Sequence, residues 1–120
     1  MGQPQLYFNP ACSKCRTAQG LLHDAGVDAE LVRYLDRAPT VEELRALMAM
    51  LGTDDPRVMM RTSEPDYAAL GLDHETPADE LLEAISARPV LLERPIFVRD
   101  GRAVIARPPE RVRELLPSAG

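Results

Sequence analysis

Leu6-Tyr7-Phe8-Asn9-Pro10-Ala11-Cys12-Ser13-Lys14-Cys15-Arg16 is the stretch from which the rest of the chain can be read. A short apolar run, Leu6 to Phe8, stops at Asn9-Pro10. Apolar residues then recur at helical spacing, at Ala18, Leu21, Leu22 and Ala25. The order is strand, tight loop, helix, with Cys12 where the helix should begin. A helix start exposes unpaired backbone N–H groups and carries partial positive charge. A thiol placed there is biased towards thiolate, and an anion is biased to bind beside it.

Working outward, Ser13 to Ala25 reads as the first helix, with Gly26 as its left-handed stop, and Ala29 to Tyr34 reads as the second strand. Strand, helix and strand of this length form a βαβ unit with two parallel neighbouring strands. Thr40-Val41-Glu42-Glu43 has the form of a capping box, and Val41, Leu44, Leu47, Met48 and Leu51 follow at helical spacing up to Gly52. Asp54 to Met60 reads as a further short helix with Pro56 in its first turn; if it continued, Arg57 and Arg61 would share a face. Glu64 to Leu70 reads as one or two more helical turns ended by Gly71, and Thr76-Pro77-Ala78-Asp79 opens a helix carried by Leu81, Leu82 and Ile85.

Beyond Pro89 the pattern changes. Ile96 to Val98 and Ala103 to Ala106 read as strands joined by the hairpin signal Asp100-Gly101. Pro108-Pro109-Glu110 starts a last helix with Val112, Leu115 and Leu116 on one side. The ends, Met1 to Pro4 and Pro117 to Gly120, are expected to fray. The order β-α-β, helical block, β-β-α matches an α/β, thioredoxin-like fold: one domain of residues 1–120, a mixed sheet, and a helical insertion over about residues 40–88 between its βαβ and ββα halves.

The chain has 120 residues, 45% hydrophobic and 28% charged, enough to build one core in an ordinary globule. The net charge of −5 argues against a nucleic-acid binder, and no apolar run is long enough to span a membrane. The N-terminus shows no signal-peptide pattern, so the two cysteines are expected in a reducing compartment, the cytoplasm. There a C-x-x-C is redox-active, nucleophilic, half of a zinc site, or a pair of idle thiols. Zinc needs two more ligands, and His23 and His74 stand in no paired pattern, so no metal is expected. Lys14, in the cysteine loop, is the only lysine among fourteen Lys and Arg. Arg94-Pro95, a proline opening a strand after a bend, is a candidate cis peptide, Pro95 facing the cysteine loop in folds of this kind.

Asn9-Pro10-x-Cys12, Arg57-x-x-x-Arg61, Glu64-Pro65 with Leu70-Gly71-Leu72, Arg94-Pro95-Ile96 and Arg107-Pro108 occur in order along the chain. Together, from about Gln5 to Leu116, they resemble the glutaredoxin-dependent arsenate reductase family. The Cys-Ser-Lys-x-Arg loop and the Arg-Pro-Pro-Glu ending are similar to small bacterial members without the longer C-terminal tail. The resemblance implies that Cys12, as thiolate, attacks arsenate to give a covalent adduct. Glutathione then displaces it, and glutaredoxin regenerates the enzyme as arsenite leaves. It makes Arg61, Arg94 and Arg107 the anion-binding arginines. Ser13, Lys14, Cys15 and Arg16 are the expected substrate-binding loop. Glutathione would be a cosubstrate, with no bound cofactor, and the protein a monomer. Arg99 and Arg111, by contrast, read as solvated surface.

Two positions depart from that pattern. Phe8 stands where several well-known members have histidine, which removes a polar neighbour of the cysteine. Cys15 stands where the reductases commonly have serine. A C-x-x-C loop on this fold is a mark of Spx-type regulators, which bind RNA polymerase and sense oxidation, so that reading remains the alternative. A thioredoxin-like thiol oxidoreductase with another substrate is the third. Cys15 is a possible resolving cysteine able to form a disulfide with Cys12; the other possibility is a small apolar core residue.

Overall fold

The computed structural model describes residues 3–116. The chain forms two compact units, one built from the chain up to Arg33 together with the chain from Arg94 onward, the other from Tyr34 to Glu93.

The first unit is built on a four-stranded sheet. Strand β1 (Gln5–Tyr7) leads through the Asn9-Pro10 loop into helix α1 (Ser13–Asp24) and back to β2 (Glu30–Val32), which pairs parallel with β1, Leu6 opposite Leu31. After the second unit the chain returns as β3 (Ile96–Arg99), antiparallel to β1 with Phe97 opposite Leu6, and β4 (Arg102–Ile105), antiparallel to β3. The strand order is β2-β1-β3-β4. This is the mixed sheet of a thioredoxin-like fold, as the element order foretold. The hairpin forms because Asp100 and Gly101 both take positive φ, 52° and 77°, the pair of angles that matches the twist of the flanking strands.

Helix α1 turns Cys15, Ala18 and Leu22 inward at spacings of three and four. They pack in one cluster with Leu6, Phe8, Phe97, Val104, Ala106 and Val112, all buried. The helix stops where Gly26, at φ 75°, gives its N–H to the His23 carbonyl and Val27 gives its N–H to Leu22. Pro4 is not frayed: its carbonyl accepts the Glu30 N–H at 2.8 Å. The other end expected to fray, Pro117 to Gly120, lies outside the described residues, as do Met1 and Gly2.

One expected element differs in kind. Residues Pro109–Leu115 form a 3-10 helix rather than an α-helix. The reason lies in the apolar spacing: Pro109 and Val112 are buried and Leu115 partly so, a repeat of three that eclipses along a 3-10 helix but drifts around an α-helix.

The second unit packs helix α2 (Val41–Leu51) through Leu44, Leu47 and Met48, and helix α4 (Ala78–Ala87) through Leu81, Leu82 and Ile85. Between them lie a 3-10 helix (Pro56–Met59) and helix α3 (Pro65–Ala69), and after them a 3-10 helix (Pro89–Leu91). The capping box is complete: Thr40 Oγ1 accepts the Glu43 N–H, and Glu43 Oε1 accepts the Thr40 N–H, both at 3.1 Å. The helix expected over Asp54 to Met60 ends early. Met60 turns extended to bridge Leu92, so Arg57 and Arg61 do not share a helical face. Arg57 is a latch instead, donating to the carbonyls of Asp73 and Thr76 and pairing with Asp55.

Candidate active site

The Asn9-Pro10-Ala11 loop is folded by both oxygens of Asn9. Its side-chain oxygen accepts the Ala11 N–H at 3.0 Å and its carbonyl accepts the Cys12 N–H at 2.9 Å. An asparagine can close such a local turn because its short amide competes with the backbone. Cys12 is thereby set at the N-cap of α1 in an extended conformation, φ −93° and ψ 119°, and its carbonyl begins the helical ladder by accepting from Arg16. Its side chain forms no full cap hydrogen bond; the sulfur is partly exposed at the mouth of the helix.

Burial acts to raise the Cys12 pKa, but it is outweighed. The Cys15 N–H, the Cys15 thiol, the Arg94 guanidinium and the Lys14 N–H all favour the thiolate, and the net shift is downward from the ordinary 9.0. Cys15, one turn on and fully buried, goes the other way. Burial pushes it up to about 12; the Asn9 backbone N–H opposes this, and the hydrogen bond and charge of Cys12 add to it. One cysteine is pushed towards thiolate, and the other holds its proton.

Arg94 and Arg107 meet at the entry to β3. The Arg94-Pro95 peptide is cis, as expected, and Arg107 Nη1 donates to the Arg94 carbonyl at 3.0 Å. The Ala106 N–H reaches the Pro95 carbonyl at 2.9 Å, so the end of β4 is tied to the same turn. Cys12, Cys15, Arg94, Pro95 and Arg107 all belong to the first unit, and the Arg94 charge is felt at both sulfurs. Arg61 belongs to the second unit, where its N–H bonds the Leu91 carbonyl and its guanidinium pairs with Glu64 at 3.1 Å. In the loop, Ser13, Lys14 and Arg16 are exposed.

Three features were not anticipated. The Arg107-Pro108 peptide is also cis, immediately after the arginine that holds the Arg94 turn; its only sequence signal was a second Arg-Pro step. Arg99 is not plain surface: its Nη1 donates to the Leu115 carbonyl at 3.3 Å, whereas Arg111 does lie on the surface, paired with Glu114. Phe8 is a core residue, 4% exposed, and takes no part in the electrostatics of Cys12. Among the described residues, no three His, Cys, Asp or Glu side chains gather to hold a metal, and no helix is long and apolar enough to cross a membrane.

A sequence model of the ArsC family matches residues 7–115. The chain is similar to an arsenate reductase of Neisseria meningitidis serogroup A, 42% identical over 117 residues that cover 97% of this chain and 100% of that protein. An arsenate reductase of Haemophilus influenzae is 42% identical over 112 residues, 92% of this chain and 97% of that one. The solved structure of an arsenate reductase from Vibrio cholerae superposes with a TM-score of 0.91 at 42% identity, covering 95% of this chain and 98% of that one.

Proposed function

The chain belongs to the ArsC family, and from that premise we propose that it is an arsenate reductase using Cys12 as nucleophile and glutathione with glutaredoxin as reductant. The observation that carries the reading is the state of Cys12. It is a partly exposed thiol at a helix N-cap, lowered towards thiolate by helix N–H groups and by Arg94. A helix mouth that favours a sulfur anion also favours a bound oxyanion.

In this mechanism the Cys12 thiolate attacks the arsenic of arsenate. A sulfur–arsenic bond forms and one oxygen leaves as water after protonation. Arg94 and Arg107 receive the oxyanion, because guanidinium forks donate parallel hydrogen bonds to two oxygens of a tetrahedral anion. Ser13, Lys14, Cys15 and Arg16 form the loop beneath the oxyanion, and Arg61 is the further arginine that the family resemblance assigns to it. Two thiol equivalents from glutathione and glutaredoxin then reduce arsenic(V) to arsenic(III), which leaves as arsenite while the thiols become a disulfide. Glutathione is a cosubstrate, no resident cofactor takes part, and the enzyme works as a monomer in the reducing cytoplasm.

The test is arsenate-dependent NADPH oxidation in the presence of glutathione, glutaredoxin and glutathione reductase. Oxidation that rises with arsenate and saturates is expected. No increase over the arsenate-free background refutes the reading and turns attention to an RNA polymerase pull-down, the test of the regulator alternative.

A further inference from the structure

The mechanism above makes no chemical use of Cys15, yet Cys15 is the buried sulfur nearest in sequence to the nucleophile. It occupies the third position of α1, three residues from the N-cap Cys12. Residues three apart at a helix start lie on one face, with Cβ atoms about 5–6 Å apart. A disulfide needs about 3.5–4.5 Å. The difference is within reach because Cys12 is the extended N-cap residue, outside the rigid helical ladder. Both sulfurs belong to one packed cluster, Cys15 fully buried within it and Cys12 against its edge. The Cys15 thiol is among the groups that favour the Cys12 thiolate.

We infer that Cys15 is an internal resolving thiol, which closes a disulfide onto Cys12 once the Cys12 sulfur has been made electrophilic. Its arsenate step rests on the function proposed above. In the adduct, the Cys15 sulfur gives up its proton to an arsenate oxygen and attacks the Cys12 sulfur. The sulfur–sulfur bond forms and the sulfur–arsenic bond breaks, its electron pair passing to arsenic. Arsenic(V) becomes arsenic(III) and leaves as arsenite, and the two cysteines are together oxidised by two electrons. The first turnover then needs no glutathione, and a dithiol reductant is required only to reopen the disulfide. With peroxide as oxidant, Cys12 becomes a sulfenic acid, and attack by Cys15 yields the same disulfide and water.

The state of Cys15 suits this order of events. Buried and protonated, it does not compete for the anion. Part of what holds its proton is the negative charge of Cys12, and that thiolate disappears when Cys12 forms a bond.

The experiment has two arms on the full chain. In the first, the reduced protein receives two equivalents of peroxide and is mapped by mass spectrometry without reduction. The wild type is expected to lose two hydrogens and to yield one cross-linked peptide containing Cys12 and Cys15. Cys15→Ser and Cys15→Ala are expected to gain two oxygens at Cys12 instead. Two replacements are used because a buried hydroxyl and a small void perturb folding differently. Oxygen gain at Cys12 in the wild type, with no cross-link, overturns the inference.

In the second arm, arsenite is counted after mixing with arsenate and no glutathione. One arsenite per chain is expected from the wild type, and roughly tenfold less or lower from either variant. Glutathione-dependent turnover without this burst overturns the arsenate route. If no condition yields arsenite, the reductase reading itself has failed, and the peroxide arm alone decides the role of Cys15.

Discussion

Replacing Arg94 by alanine is the perturbation that bears most directly on the site. Arg94 is half-buried at the entry to β3, and its charge lowers the pKa of Cys12. On the proposed function the replacement therefore removes an oxyanion ligand and one support of the thiolate together. A charge-assisted hydrogen bond in such a position contributes about 1.5–3 kcal/mol. At about 1.4 kcal/mol per decade, kcat/KM for arsenate is expected to fall by about 10- to 150-fold. The coupled assay over a range of arsenate concentrations measures that loss. Iodoacetamide alkylation of Cys12 as a function of pH, without arsenate, measures the second effect. A cation favours the charged form, so the alkylation midpoint in Arg94→Ala moves to higher pH. Arg94→Lys keeps a point charge but loses the fork, and should fall between. Arg111→Ala is the control, because Arg111 is exposed and its partner is Glu114. If Arg94→Ala stays close to wild type in both measurements, Arg94 serves neither the anion nor the thiolate, and the site has been misplaced.

Arg107→Ala should match or exceed that loss, since Arg107 also donates to the Arg94 carbonyl and so holds the turn its partner stands on; a smaller effect than Arg94→Ala in the same assay contradicts this. Cys12→Ser should eliminate arsenate reduction while leaving the melting temperature equal or slightly higher, because serine is a favoured N-cap and helps by about 0.5–2 kcal/mol where it bonds the first turn; a folded Cys12→Ser protein with substantial activity rules out covalent catalysis. Phe8→His should destabilise the fold by about 1–3 kcal/mol in urea titration, because the ring is buried in the sheet cluster with no polar partner to meet it; an unchanged midpoint would show that the position tolerates the polar residue. Cys15 supplies a pH dependence: its folded pKa is raised to about 12 from 9.0. Between those values the unfolded chain has released a proton that the folded chain keeps, so stability present below pH 9 falls by up to about 1.4 kcal/mol per unit as pH rises towards 12. Denaturation followed across that window should show a shallower decline in Cys15→Ala, and identical slopes would remove the assignment.

What was legible in the sequence was what depends on local pattern. The strand–loop–helix around Cys12 announced itself because Asn9-Pro10 interrupts one apolar period and a different one resumes at Ala18. Thr40 and Glu43, Asp100 and Gly101, and Gly26 each encode a cap or turn through their own side-chain or backbone chemistry, and each does in the fold what that chemistry requires. Pro95 was legible as a cis candidate from its position after a bend. The features that escaped depend on partners far along the chain. Arg57 reads as sharing a helical face with Arg61, but carbonyls at Asp73 and Thr76 claim it. Arg99 reads as surface until Leu115 arrives beside it. The last helix reads as α because Val112, Leu115 and Leu116 fit one side, yet the buried set includes Pro109 and repeats every three residues. The opposite shifts of the two cysteines also need the fold: burial dominates at Cys15, whereas at Cys12 it is outweighed by N–H groups, the Cys15 thiol and Arg94.

The two cysteine shifts run in opposite directions within one turn of helix. Charges on the chain as a whole work against an anionic substrate, with a net of −5. At the start of α1 the balance is local: backbone N–H groups of Lys14 and Cys15 and the Arg94 guanidinium act on a sulfur that is only partly desolvated. Three residues further on, the same helix has carried its side chains beneath the sheet residues Leu6 and Phe97, and desolvation dominates. The helix N-terminus lies beyond the carboxyl end of β1, where β2 runs parallel on one side and β3 antiparallel on the other, the kind of edge at which open sheets bind ligands. A serine at residue 15 would keep the packing and much of the hydrogen bonding. Only a second sulfur adds the capacity to accept the oxidation of the first, and that capacity is what the peroxide experiment on Cys15 measures.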